Sequence, residues 1–174
     1  MKYLDIPQFY PEGNYAVTTS WDYIERILED WNERGELDLD PDFQRGHVWS
    51  EKKQIDFVEF CLKGGKESRT IKFNHPGWQS DYEGKMVLVD GKQRLEAVRK
   101  FMRNELPIFG GHFLGDFEDM KIMLRSLNAS LIFMVNNLKT RKEVLTWYLQ
   151  LNSGGVVHTQ EEIEKVEKLL ELEP

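Results

Sequence analysis

The chain has 174 residues, 40% hydrophobic and 12% aromatic, enough for one domain that buries about 70% of its unfolded surface. A formal net charge of −7 argues against a general nucleic-acid coat protein, so any nucleic-acid contact is expected to be local. One cysteine, Cys61, excludes an internal disulfide and a cysteine-based zinc site. No apolar run reaches membrane-span length and "MKYLDIPQFYPEG" lacks a signal peptide's apolar segment, so the expectation is a soluble, cytoplasmic protein.

Residues 1–19, with Pro7 and Pro11, read as an N-terminal arm. Ser20 is the expected N-cap of a helix over 21–34, where Ile24, Ile27, Leu28 and Trp31 recur at helical spacing and Gly35 ends the run. "ELDLD" (36–40) alternates as a short strand would, and Pro41 stops it. Ser50 caps a second helix, with Ile55, Val58 and Leu62 on one face and Gly64-Gly65 closing it. "RTIKF" (69–73) reads as a strand, 74–85 as a turn-rich loop, and "MVLV" (86–89) as a strand feeding a helix over 92–103. That helix would bury Leu95, Val98, Phe101 and Met102. The glycine-interrupted stretch 105–117 suggests short extended pieces, followed by a short helix over 118–127 and a buried strand over 130–137. Residues 140–151 read as a helix broken by "NSGG" (152–155), and Thr159 with Glu162 forms a capping box for a last, acidic helix. Helices with few, scattered strands and no internal repeat predict a small α+β domain.

The run "MVLVDGKQRLEAVRKF" (86–101) places an acid, a glycine and two cations where a helix's first N–H groups point. Gly91 permits a sharp turn and close approach of a ligand to the main chain. Lys92 and Arg94 supply positive charge, and Arg94 can grip phosphate oxygens with two prongs. From 91 to 103, five cations stand against Glu96 alone in an otherwise acidic chain. Spacing alone leaves two readings open: a phosphate site, or a turn followed by a solvated, charged helix face. The motif has neither the Walker spacing nor the dinucleotide-binding glycine series. A second stretch, "DPDFQRGHVWSEKKQIDFVEF" (40–60), sets Gln44, Arg45 and Trp49 just before a capped helix. An Arg and a Trp there could clamp a phosphate and stack a base; equally, the Trp could pack in the core with Arg45 paired to a surface acid.

"PDFQRGHVW", then "VLVDGKQRLEAV", then "YLQLNSGGVVHTQEEIEKV" together resemble the ParB/sulfiredoxin-like N-terminal domain of GmrSD-type modification-dependent restriction systems, with three blocks in the family's order across about 37–170. The resemblance implies a small mixed sheet surrounded by helices and a domain that binds and hydrolyses a nucleoside triphosphate, with Mg2+ as the accompanying ion, in DNA restriction or anti-phage defence. It assigns Asp90 a catalytic and metal-orienting role. Gly91, Lys92, Gln93, Arg94, Gln44 and Arg45 become nucleotide- and phosphate-binding residues, supported by Trp49, Asn152, Ser153 and Gly154. Lys92 replaces the family's usual Gln, which keeps a donor and adds charge but puts hydrolytic geometry in question. The turn also looks like the G-x-x-R segment of ParB partition proteins.

Restriction relatives usually carry or recruit an HNH nuclease domain, and no such pattern is legible here. The histidines at 47, 75, 112 and 158 are scattered without metal-ligand spacing. Cys61 falls in a helical pattern and is expected in the core; no cysteine stands in the 91–94 turn, so sulfinic acid reductase chemistry is not expected. Two functions therefore stand side by side. One is a nucleoside triphosphatase or nucleotide-gated switch. The other is a non-catalytic acidic interaction protein, of the kind phage genomes encode, binding a host protein or DNA through surfaces such as the glutamate-rich last helix.

Overall fold

A computed structural model describes residues 15–44, 49–152 and 160–172, for 152 and 160–163 the backbone alone. The domain is α+β: six α-helices and a five-stranded mixed sheet among the described residues. In chain order these are β1 (Tyr15–Ser20), α1 (Ile24–Arg34), β2 (Leu37–Asp38), α2 (Glu51–Leu62), β3 (Thr70–Asn74), β4 (Met86–Asp90), α3 (Lys92–Met102), α4 (Met120–Arg125), β5 (Ser130–Asn136), α5 (Arg141–Asn152) and α6 (Gln160–Leu172). The sheet order is β1-β5-β3-β4-β2, with β1/β5 and β3/β4 antiparallel and β5/β3 and β4/β2 parallel. No helix of the described residues is long and apolar enough to cross a membrane.

The sequence reading of residues 15–19 as part of an arm is corrected. They open strand β1, paired from Tyr15↔Val135 to Ser20↔Ser130. "YAVTTS" has the β-branched and aromatic residues of a strand, but as an edge strand it buries only Thr19 and so lacks strong alternation. Ser20 is also corrected as a cap. Its hydroxyl reaches the Leu124 carbonyl at 2.8 Å and accepts no first-turn amide, while Trp21–Tyr23 make a 3-10 turn ahead of α1. The expected face of α1 is buried at Ile24, Leu28 and Trp31, with Ile27 packed beside it. "ELDLD" contributes only the two residues of β2.

Ser50 does cap α2, accepting from the Lys53 amide at 3.3 Å. The buried face is Gln54, Phe57, Val58 and Cys61 rather than the Ile55, Val58 and Leu62 stripe, with Ile55 and Leu62 at its margin. Arg69, 6% exposed, donates to the carbonyls of Cys61 (2.6 Å) and Leu127 (2.8 Å). One guanidinium thus satisfies a last-turn carbonyl of α2 and joins it to the segments entering β3 and β5. The α3 face is buried as expected at Leu95, Val98 and Phe101, with Ala97 added and Met102 half-buried. Of the short extended pieces expected over 105–117, the structure has an Ile108/His112 bridge, followed by a 3-10 turn at Leu114–Asp116.

Buried side chains fall into two clusters. The larger surrounds Trp21, Trp31, Phe57, Phe73, Phe101 and Phe133. The smaller joins Phe43 and Val89 to Val144, Leu145, Trp147 and Tyr148 of α5 and Val166 of α6.

Candidate functional site

Strand β4, inside the sheet, ends at Asp90, and Gly91 turns the chain directly into α3. Gly91 has φ 98°, and a Cβ there would lie 2.7 Å from Ile71 Cδ1 and 3.2 Å from both Ile71 Cα and the Thr70 carbonyl. Both the left-handed backbone and the contact with β3 require glycine. The first helical bond runs from the Leu95 amide to the Gly91 carbonyl at 2.9 Å, so the positive end of α3 is at this turn.

The turn opens into a cleft of about 600 Å3, within the size range of small-molecule sites. Its floor is Val89–Arg94, one wall is α2 with Lys53, Phe57 and Phe60, and the other is Tyr148 and Leu151 of α5. The cleft follows the seam between the two clusters, since Phe57 belongs to the larger and Val89 and Tyr148 to the smaller. Gln44, Trp49, Asp56, Glu67 and Ser68 also line it, so two further carboxylates face the space.

The first two sequence blocks are stitched together here. Gln44, 9% exposed, donates from Nε2 to the Leu88 carbonyl, and the Trp49 amide donates to Gln93 Oε1 at 2.9 Å. Gln44 and Gln93 therefore position the floor as well as line it. The Trp49 ring is itself engaged: Lys53 Nζ lies 5.1 Å from its centroid and the Phe57 ring packs at 5.5 Å. Its carbonyl accepts from Gln54 Nε2 at 3.1 Å.

Lys92 and Arg94 lie at the turn, and each pairs with a carboxylate. Arg94 Nη2 donates to Asp90 Oδ2 at 2.6 Å and Nη1 lies 3.4 Å from the Ser68 carbonyl. Lys92 pairs with Asp40. The turn brings Asp90 back over Arg94, four residues on, although Asp90 belongs to the strand and Arg94 to the helix. Any anion at this end of the cleft would have to compete with Asp90 for Arg94.

Arg45, Ser153 and Gly154, and the side chain of Asn152, lie outside the described residues; so do His47 and the Thr159/Glu162 capping box. No group of three or more metal-ligating side chains occurs among the described residues, and Asp90 is engaged by Arg94. Cys61 is fully buried and its thiol is pushed up to about 11 by burial, against the pull of Arg69, which removes thiolate chemistry.

Phe60, Lys53, Ser68 and Tyr148 were not singled out by sequence. Phe60 follows Phe57 by one helical turn, a spacing that signals core as readily as site. Scans against family models, curated proteins and solved structures find no match for this chain.

Proposed function

We propose that the cleft binds a nucleoside triphosphate, with the phosphates at Gly91–Arg94 and the base along the aromatic wall, in a ParB/sulfiredoxin-like domain related to DNA restriction or anti-phage systems. The observation that carries the reading is the meeting of the "DFQ…W" and "DGKQR" blocks at one strand-to-helix turn facing one cleft. A helix start, a guanidinium and a lysine at one end of a partly apolar cavity match a ligand with an anionic tail and a flat head. Arg94 leaves Asp90 for phosphate, and the released Asp90 carboxylate is the group left to orient water for hydrolysis. Magnesium belongs to this reading as the counter-ion carried by the phosphates, not as a resident ion.

Thermal melts with each of the four common ribonucleoside triphosphates, with and without magnesium, test it. A ligand at 100 times its dissociation constant adds about 2.7 kcal/mol to the folded state. Arg94→Ala should weaken binding about 10- to 150-fold, as for loss of a charge-assisted hydrogen bond. Absence of any shift at millimolar ligand returns the chain to the second reading, a non-catalytic acidic interaction protein. The pairing of both Lys92 and Arg94 with carboxylates favours that alternative.

A further inference from the structure

We infer that Phe60 is the stacking platform for the planar end of the ligand and that Gly65 is the backing that holds its ring in the cleft; this rests on the nucleotide reading above. Four aromatic residues line the cleft. Phe57 and Tyr148 are 8% and 7% exposed and belong to the two buried clusters. Trp49 is engaged by Lys53 and Phe57. Phe60 is 40% exposed, so it has ring surface left to offer.

The ring is supported from behind. A Cβ on Gly65 would lie 2.3 Å from Phe60 Cζ and 2.4 Å from both Cε1 and Cε2, so the tip of the ring rests on the Gly65 main chain. The Gly65 amide donates to the Phe60 carbonyl at 2.9 Å, so the bond that closes α2 also seats the glycine under the ring. Gly65 does not have the left-handed φ of its neighbour Gly64, so space rather than backbone conformation calls for glycine here. Glu67 and Ser68 continue the same wall, and the Ser68 carbonyl lies 3.4 Å from Arg94 Nη1. The wall therefore runs from an open aromatic ring to the cationic end, the layout a base joined to a phosphate chain would span. Because every base has a π face, this platform recognises a nucleobase without selecting one strongly.

The experiment is calorimetric titration of the full chain with the four ribonucleoside triphosphates and, separately, with inorganic tripolyphosphate, which has no ring. Phe60→Ala should weaken the triphosphate bound by wild type about 5- to 150-fold, as loss of base–aromatic stacking does, and leave tripolyphosphate unchanged. Phe60→Trp should retain nucleotide binding. Gly65→Ala keeps the amide bond but displaces the ring, so it should also weaken nucleotide and spare tripolyphosphate. Arg94→Ala should weaken both probes. Nucleotide binding unaltered by Phe60→Ala, or an equal loss for both probes, overturns the platform and leaves the nucleotide reading standing. Failure of wild type to bind either probe overturns both.

Discussion

Two turns leave opposite ends of the β3–β4 pair, and they use related ingredients to opposite effect. The 75–85 connection carries its own aromatics. His75 stacks on Tyr82 at 4.4 Å, Trp78 lies 5.5 Å from Tyr82, and Trp78 packs on Trp31 at 5.7 Å and Tyr15 at 5.1 Å. The amides of Ser80 and Tyr82 close on the Gly77 carbonyl at 3.0 and 2.9 Å. That turn fills itself. The Asp90–Gly91 turn carries charge and no ring, so its surroundings are supplied by α2 and α5, which stand far enough apart to leave a cleft. Aromatics inside a turn seal it; aromatics borrowed from other elements can line a space.

Glycine substitutions give the sharpest contrast. Gly91→Ala meets both a left-handed backbone and the β3 main chain, so it should cost roughly 2–4 kcal/mol of stability and disrupt anion binding. Gly77→Ala would put Cβ 2.5 Å from the Glu83 amide and carbonyl, and forcing that turn apart should cost roughly 1–3 kcal/mol while sparing the cleft. Urea unfolding with tripolyphosphate titration checks both. Equal effects on binding would break the distinction between the turns.

The sealed turn should also respond to acid. His75 is 1% exposed, its Nδ1 accepts from the Gly77 amide at 3.1 Å, and its Nε2 is buried without a partner. Burial holds its pKa below the ordinary value; Asp81 pulls it up and Lys139 pushes it down. The folded state thus prefers the neutral ring. Its contribution is complete above the unfolded value of about 6.5 and is lost as pH falls through the lower folded value. Melts from pH 7.5 to 5 should show falling stability, with a smaller slope in His75→Phe. An identical slope in the variant would mean the ring is not sealed.

The smallest effect on stability is expected at the open turn. Asp90→Asn removes a partly exposed ion pair, worth about 0.2–1 kcal/mol, while freeing Arg94. Tripolyphosphate should bind severalfold more tightly and any triphosphate hydrolysis should fall. Weaker anion binding in this variant would show that Asp90 organises the cationic end rather than competing for it.

The β4–α3 turn was legible because a β-rich run, Gly91 and a helical stripe follow one another, each with a local physical cause. Helix α2 was legible through Ser50, whose cap needs no distant partner. Strand β1 escaped because its pattern depends on β5, more than a hundred residues away, and its outer residues face solvent. The Arg94–Asp90 pair escaped for a different reason. Four-residue spacing predicts contact within a helix, but Asp90 lies in a strand and reaches Arg94 only because of the Gly91 turn. Phe60 was hidden because exposure of one ring among several on α2 is settled by what packs opposite, here a glycine five positions on.

The seam beneath the cleft has a consequence for motion. Helix α5 contributes to the smaller cluster, while the larger is fastened elsewhere by Arg69 and the central strands. Helices α5 and α6 are the helical part of the smaller cluster, outside the sheet, and they are expected to exchange amide hydrogens faster than the central strands. A molecule seated across the seam touches Phe57 on one side and Tyr148 on the other, and acts as a rivet between them. Occupancy should then be felt less in the sheet than in the exchange rates of α5 and α6.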